Sequence, residues 1–331
     1  MTNKKKKNEL FVILFVIIGI YSAYLAGEFS SARGTTTDNK VFVMYAGSLV
    51  KIFEDVIGPA FQQESKHTYV GEGKGSVQVA NLIKDGFRTP DVFMSAGTIP
   101  IMRLMNTTPP LVDWLVGFGS AEIVISYSPN SLYFSELEKT RKGQINWYDV
   151  ISQDDFKFGR TDPELDPKGY YGIITAKLAN TYYNDSSIKD KIFGEDRNTK
   201  QIFPEETLKA VLETGQLDAV VAYKHEAISR GLPYITLPKE INLSDPVYSD
   251  FYKQENYTLQ SDHKTIHGKP VEFSITIPNT VKNMDGAISF VNFLLSKNGS
   301  QLLESQGFNS INITSEGNID DIPITIRDLI P

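Results

Sequence analysis

Three hydroxyl-bearing side chains stand at the ends of predicted strands in this sequence. Ser48 follows the apolar run in "VFVMYAGSL", Ser76 follows the glycines of "GKGSV", and Tyr223 ends "DAVVAY". A predicted helix begins at each serine, so unpaired backbone N–H groups and the positive end of a helix dipole lie beside it. Because hydroxyl and amide groups donate hydrogen bonds directly to an anion, the pattern suits a buried oxyanion. The alternative interpretation is that both serines only cap their helices.

The sequence gives little support for catalysis at these hydroxyls. It contains no Gly-x-Ser-x-Gly motif, and no histidine or lysine is recognisable as a base for Ser48. Lys74 lacks the spacing of a phosphate-binding Gly-Lys-Ser/Thr loop, so we expect a solvated lysine there. We expect Ser95, in "FMSAG", to pack beneath the site. A non-catalytic protein is therefore predicted, and a secreted hydrolase is the less favoured alternative.

The histidines do not form a convincing metal site. His263 and His267 lie in a polar loop close to Gly268, without cysteine or acidic partners. His67 and His225 are isolated in the sequence, and we expect both to be exposed. We therefore predict no structural metal and no cofactor.

Composition limits the compartment and the partners of the chain. Its 331 residues, 41% apolar and 22% charged, are typical of a globular protein with one large or two ordinary domains. The formal net charge of −7 argues against nucleic acid as a partner. The absence of cysteine excludes disulfides, thiolate metal sites and a lipid-anchored cysteine.

The N-terminus predicts export. "MTNKKKKNEL" carries four consecutive lysines, and Leu10 to Gly27 contains no charged side chain. A basic segment followed by an apolar one is typical of a signal peptide or an N-terminal membrane anchor, and the length of this one suits either. We assign residues 1–28 to this segment and 29–40 to a polar linker, and we expect an extracytoplasmic protein, membrane-anchored or secreted.

Strands and helices alternate from Val41 onward. "VFVMYAG", "HTYVGEG" and "TPDVFMSAG" predict strands that end in small residues, and each is followed by a segment with helical spacing of apolar residues. This order predicts an α/β protein with a parallel sheet, whose ligand lies beyond the carboxyl ends of the strands. The polar segment 242–270 predicts a loop or a β-hairpin.

Five blocks of the sequence, in this order, carry a resemblance to a known family. They are "VFVMYAGSL", "GKGSVQVANLI" with "TPDVFMSAG", "GRTDPELDPKGYYGIITAKLA", "ETLKAVLETGQLDAVVAYKHEA" and "AISFVNFLLSKNGSQLLESQGF". Together they span roughly residues 41–308. The chain resembles the molybdate- and tungstate-binding proteins of ABC transporters, and in particular their archaeal branch.

The resemblance implies a fold and a function. The expected fold is α/β, two-lobed and of the type II periplasmic-binding-protein kind, each lobe holding a mixed, mostly parallel sheet flanked by helices. We assign 41–119 and 238–311 to lobe 1, 120–237 to lobe 2, and 312–331 to a C-terminal tail. The expected function is capture of molybdate or tungstate in the cleft and delivery to an ABC permease by a monomeric protein. The alternative within the same class is a binding protein for another small oxyanion, such as sulfate or phosphate.

The resemblance also implies a ligand set. Ser48, Ser76 and Tyr223 match positions that donate hydroxyls. Lys168 and Glu205 match positions that contribute backbone amides, so that neither side chain need touch the ligand.

One feature of the archaeal branch is only partly present. There, two carboxylates approach the metal centre of the anion. We place the first at Asp166, with Asp162 as the alternative. The second precedes the tyrosine, where this chain has Ala222, and Glu226 could not take the same place without a different backbone path. A four-oxygen anion held by hydrogen bonds is therefore expected.

Overall fold

Strands and helices alternate along the part of the chain that the computed structural model describes, residues 39–309 and 313–330. The strands are β1 (Lys40–Ala46), β2 (Thr68–Lys74), β3 (Val92–Ala96), β4 (Trp114–Ala121), β5 (Ile123–Tyr127), β6 (Phe158–Gly159), β7 (Ala219–Tyr223), β8 (Tyr234–Thr236), β9 (Asn256–Thr258), β10 (Thr265–His267), β11 (Val271–Thr276) and β12 (Thr314–Gly317).

The α-helices are of very unequal length. They are α1 (Val50–Ile52), α2 (Gly58–Glu64), α3 (Ser76–Lys84), α4 (Ile99–Met105), α5 (Phe134–Arg141), α6 (Trp147–Ile151), α7 (Pro167–Tyr182), α8 (Ile188–Phe193), α9 (Glu205–Glu213), α10 (Lys224–Arg230), α11 (Ser249–Tyr252), α12 (Met284–Leu295), α13 (Lys297–Ser305) and α14 (Ile324–Arg327). A π-helical turn, Phe53–Ile57, joins α1 to α2, and Gly47–Leu49, Pro246–Tyr248 and Ile319–Asp321 are 3-10 turns.

A six-stranded sheet has the order β12-β4-β11-β3-β1-β2. Its strand β1 is buried on both faces, since Val43 and Tyr45 pack into one apolar cluster and Met44 into a second. That burial explains the continuous apolar run in the sequence. We call this sheet and its flanking helices the first lobe.

A four-stranded sheet has the order β6-β7-β5-β8 and, with its helices, forms the second lobe. The chain changes sheets between Ala121, the last residue of β4, and Ile123, the first of β5. It returns to the first lobe with β11. Residues 314–317, which we assigned to a tail, add β12 to the edge of the first sheet.

The expectation of mostly parallel sheets was wrong, although both sheets are mixed. Among the described strands, β1 pairs in parallel with β2 and β3, and β6 with β7. The pairs β3–β11, β11–β4, β4–β12, β5–β7 and β5–β8 are antiparallel. Strand β4 leads the chain out of the first lobe and β11 brings it back, so the two run in opposite directions.

Two further expectations concern the periphery. The polar segment 242–270 does contain a hairpin, because β9 and β10 pair antiparallel. The predicted signal or anchor, 1–28, and nearly all of the linker lie outside the described residues. Within the described ranges, no helix combines the length and apolar character needed to cross a bilayer.

Candidate anion-binding site between the lobes

The first lobe presents two of the predicted hydroxyls at one edge of its sheet. Because β1 and β2 are parallel neighbours, the turns that follow them lie side by side. Ser48 lies in the Gly47–Leu49 turn after β1, and Ser76 is the first residue of α3 after β2. Only 6% of Ser48 and 0% of Ser76 is exposed, so both side chains are closed off from solvent.

Neither serine caps a helix, so the capping interpretation was wrong. Ser48 Oγ has no hydrogen-bond partner among the described residues. Gly75 is the N-cap of α3, and Ser76 Oγ instead accepts a hydrogen bond from Ala96 N at 3.1 Å. The Ser76 hydroxyl hydrogen therefore remains available for donation to a ligand.

The amides that open α3 are used differently from the expectation. Val77 N and Gln78 N both donate to the carbonyl oxygen of Leu165, at 3.2 and 3.3 Å. Leu165 belongs to the loop before α7, in the second lobe. These two amides therefore form hydrogen bonds between the lobes and are not free to bind an anion in this arrangement.

The second lobe contributes a group of buried phenols. Tyr223 ends β7, and Tyr170 and Tyr171 are the fourth and fifth residues of α7. Each is fully buried, and none of the three hydroxyls has a partner among the described residues. Burial raises the pKa of all three, so they stay neutral donors. A Cβ placed on Gly97, at the end of β3, would lie 3.4 Å from the Tyr171 hydroxyl, which puts that phenol against the first lobe. Sequence reasoning missed Tyr170 and Tyr171, although both stand in the quoted "DPKGYY".

Four charged side chains form a buried ionic cluster, one of whose ammonium groups, Lys168 Nζ, lies 5.6 Å from the centroid of the Tyr223 ring. Lys168 Nζ lies 3.0 Å from Glu205 Oε1 and 2.9 Å from Glu226 Oε2. Lys209 Nζ lies 3.0 Å from the same two carboxylates. Two ammonium groups thus face two carboxylates, and the cluster has no net charge. We refer to Lys168, Lys209, Glu205 and Glu226 as the ionic cluster.

The mutual charges keep the cluster ionised despite its burial. Burial alone would favour the neutral forms, but the Lys168 and Lys209 ammonium groups lower the pKa of Glu205 and of Glu226. The carboxylates in turn outweigh burial and raise the pKa of Lys168. Sequence reasoning assigned no role to Lys209. The spacing of Glu205 and Lys209, four residues apart on one helix, was the available signal.

Asp166 and Asp162, the two candidate carboxylates, lie in different surroundings. Asp166 is the N-cap of α7, and its Oδ1 accepts a hydrogen bond from Lys168 N at 2.9 Å. Burial, and then the charge of Glu205, raises its pKa well above the usual range. Asp162 instead accepts a hydrogen bond from Glu164 N within its own loop and forms an ion pair with Arg197 at 3.3 Å.

The two backbone amides expected to donate to the ligand, those of Lys168 and Glu205, lie in different surroundings. The Lys168 amide is already bonded to Asp166, while its side chain belongs to the ionic cluster. Glu205 is the first residue of α9, where backbone N–H groups lack intrahelical partners. Ala222 packs into an apolar cluster with Leu208, so no carboxylate stands at that position.

The carboxylate of Glu226 is not free to take the place of the carboxylate that is missing at Ala222. Besides its contacts in the ionic cluster, it accepts a hydrogen bond from Tyr223 N at 2.8 Å. Ser95, on β3, is buried with an unpartnered hydroxyl, but its strand neighbour is Ser274.

The expectation that His67 and His225 are exposed was wrong. Both are buried, at 7% and 0% exposure. The His225 ring stacks on Phe308 with centroids 4.2 Å apart and on Tyr223 at 5.5 Å. Burial disfavours the charged ring and lowers the pKa of His225 to about 3, so a neutral imidazole packs behind Tyr223.

The chemistry of these groups indicates the kind of solute that the protein can enclose. Neutral hydroxyls are buried in both lobes, and the charges of the ionic cluster cancel one another. Among the described residues, no group of three or more acidic or histidine side chains is arranged to hold a metal ion. An α/β protein of this kind can enclose a small polar solute between its lobes.

Comparison with known proteins assigns the family. The family of bacterial extracellular solute-binding proteins matches residues 41–309, and this chain belongs to it. The molybdate/tungstate-binding protein WtpA of Pyrococcus abyssi is 32% identical over 314 residues, 88% of either chain. WtpA of Thermococcus kodakarensis is 30% identical over 322 residues, 90% of either chain. A solute-binding protein of Petrotoga mobilis is 33% identical over 93% of this chain and 94% of its own.

Solved structures support the same fold. The periplasmic molybdate-binding protein of Azotobacter vinelandii aligns with a TM-score of 0.55 at 12% identity, covering 81% of this chain and 98% of that one. The sulfate-binding protein SubI of Mycobacterium tuberculosis aligns with a TM-score of 0.53 at 14% identity, covering 87% and 89%. The expected two-lobed fold of the type II periplasmic-binding-protein kind is confirmed.

Proposed function

We propose that this protein captures molybdate or tungstate between its lobes and delivers it to an ABC permease outside the cytoplasm. The observation that carries the proposal is that Ser48 in the first lobe and Tyr170, Tyr171 and Tyr223 in the second are among the buried hydroxyls that have no protein partner in the described part of the chain. A buried polar group left unpaired costs free energy. A tetrahedral oxyanion would accept hydrogen bonds from such donors.

The balance of charge supports a small anion bound by neutral donors. A dianion loses its hydration on entering the site, and fixed donors must replace that water. Because the ionic cluster is neutral as a whole, it neither repels the anion strongly nor holds it as a counter-ion. Ser76, whose hydroxyl hydrogen is available, adds a further donor.

The choice of molybdate or tungstate rests on the relatives named WtpA. The same hydroxyl chemistry would suit sulfate or phosphate, which therefore remain the alternative ligands. Ala222 and the engagement of Glu226 with both lysines favour an anion that keeps its four oxygens and gains no second carboxylate. We propose Asp166, the N-cap of α7, as the carboxyl that approaches the metal.

The setting of the proposal follows the family. An exported, monomeric receptor, attached to the membrane or released by cleavage within residues 1–28, would pass the ion to its permease without chemical change. The proposal includes no catalysis, no cofactor and no nucleic acid.

Removal of two donors tests the proposal. The double variant Ser48→Ala, Tyr223→Phe should weaken binding of molybdate and tungstate about a hundredfold or more, because each hydrogen bond to a charged group contributes about 1.5–3 kcal/mol. Calorimetric titration measures the affinity, and thermal unfolding without ligand should show that the fold survives. Titration curves close to those of the wild type would remove Ser48 and Tyr223 from the donor set.

A further inference from the structure

A glycine directly precedes each of the two serines in the site, and each glycine touches the opposite lobe. Gly47 precedes Ser48 and lies against Glu205; Gly75 precedes Ser76 and lies against Leu165. We propose that Gly47 and Gly75 are closure residues, whose lack of a side chain lets the second lobe reach the serines when the ligand is bound. This inference rests on the proposed function.

Gly47 lies against the middle of the Glu205 side chain, whose carboxylate is held by ion pairs. A Cβ at position 47 would lie 2.2 Å from Glu205 Cγ and 3.2 Å from Glu205 Cβ. Both lysines of the ionic cluster hold the Glu205 carboxylate, at 3.0 Å each. An added methyl group would therefore have to push the lobes apart.

Gly75 lies against the backbone of the second lobe, which can shift less than a side chain can. A Cβ at position 75 would lie 2.6 Å from the carbonyl oxygen of Leu165. That oxygen is the one that accepts hydrogen bonds from Val77 N and Gln78 N. A methyl group here would thus break the contact that joins α3 to the second lobe.

Backbone conformation does not require glycine at either position. Gly75 has φ of −52°, and neither it nor Gly47 belongs to the glycines with positive φ. Any residue can adopt such a conformation. Close approach of the second lobe is therefore what excludes a side chain at both positions.

A direct bond across the lobes accompanies the approach at Gly47. Lys209 Nζ donates to the Gly47 carbonyl oxygen at 2.7 Å. The ionic cluster thereby holds the turn that carries Ser48. Because Ser48, Ser76 and Tyr223 are buried in this arrangement, a ligand can enter only when these contacts have opened. Closure residues at this place would govern how firmly the ligand is retained.

The variant Gly47→Ala in the purified full chain tests the inference. We expect affinity for molybdate and tungstate to fall about tenfold or more, since overpacking of a closed contact is costly. Small-angle X-ray scattering should show that the wild type becomes more compact on adding molybdate and that the variant does so less. Thermal unfolding without ligand should be unchanged, because the overlap exists only in the closed arrangement.

A matched control separates closure from general overpacking. In Gly286→Ala the new Cβ would lie 2.5 Å from Val41 Cγ2, inside the first lobe and at the opposite end of β1 from Ser48. It should lower the unfolding temperature and leave anion affinity unchanged. Gly75→Ala repeats the main test at the second contact, should Gly47→Ala fail to fold.

The outcomes distinguish the inference from the proposed function. Wild-type affinity and wild-type compaction in Gly47→Ala or in Gly75→Ala, with the wild type binding molybdate, would overturn the closure inference alone. A wild-type protein that binds neither molybdate nor tungstate would contradict the proposed function, and this inference with it.

Discussion

The three tyrosines proposed as donors stay protonated because they are buried. Tyr170, Tyr171 and Tyr223 have pKa values raised by burial, so their phenols stay neutral at any physiological pH. A neutral donor avoids the cost of burying an unpaired charge when the site is empty. Hydroxyls are therefore suited to a receptor that must alternate between empty and loaded states.

His225 supports Tyr223 from behind and makes the fold sensitive to acid. Its pKa of about 3 in the folded protein lies below the ordinary value near 6.5. The unfolded chain therefore binds a proton between these values while the folded protein does not. The contribution of His225 to stability is complete above about pH 6.5 and is lost as the pH falls toward 3.

We therefore expect His225→Phe to flatten the acid dependence of stability. From pH 7 to pH 5 the wild type should lose about 2 kcal/mol of unfolding free energy through this residue, and the variant should be spared that loss. Denaturant unfolding at the two pH values measures the difference. The exposed His267→Gln serves as the control and should behave as the wild type. An acid dependence unchanged in His225→Phe would show that the ring does not stay neutral.

At the scale of elements, three helices, α7, α9 and α10, bring the ionic cluster together. Lys168 lies in the first turn of α7, and Glu205 and Lys209 lie on one face of α9. Glu226 comes from α10, after β7. The cluster thus ties three helices of the second lobe to one another, and any single charge removed leaves its opposites buried without compensation.

Lys168→Met should lower the free energy of unfolding by about 3–5 kcal/mol, because it leaves Glu205 and Glu226 short of one buried partner. Adding Glu226→Gln should recover part of that loss. Denaturant unfolding at neutral pH provides the values. Lys224→Met is the matched control: Lys224 pairs with Glu122 at 2.7 Å but is partly exposed, so about 1 kcal/mol or less is expected. Equal losses in the two lysine variants would mean that the ionic cluster is not a structural centre.

For these elements, sequence patterns predicted the local structure, namely which segments form strands, turns and helices. "VFVMYAGSL" and "GKGSV" predicted a strand, a small-residue turn and a helix, and β1, β2 and α3 lie there. The antiparallel course of β4 and β11 was missed, because apolar runs specify burial and not the direction of a partner strand. Lys209 and His225 were missed for a related reason: their burial depends on partners far away in the sequence, such as Gly47 and Phe308.

At the scale of the whole molecule, the proposed site draws its residues from both lobes. Ser48 and Ser76 follow parallel strands of the first lobe, while Tyr223 and Asp166 come from the second. The family resemblance predicted this division, because it assigned ranges of the sequence to each of the two lobes. The contacts that close the lobes, at Gly47 and Gly75, could be identified only from the structure, because each involves a residue of the other lobe.

Parallel calorimetric titration with molybdate, tungstate, sulfate and phosphate tests the central claim most directly. The buried hydroxyls of the two lobes should bind molybdate and tungstate with one ion per chain and clearly more tightly than sulfate or phosphate. A protein that binds sulfate or phosphate as tightly as molybdate and tungstate, or that binds none of the four, would contradict the account.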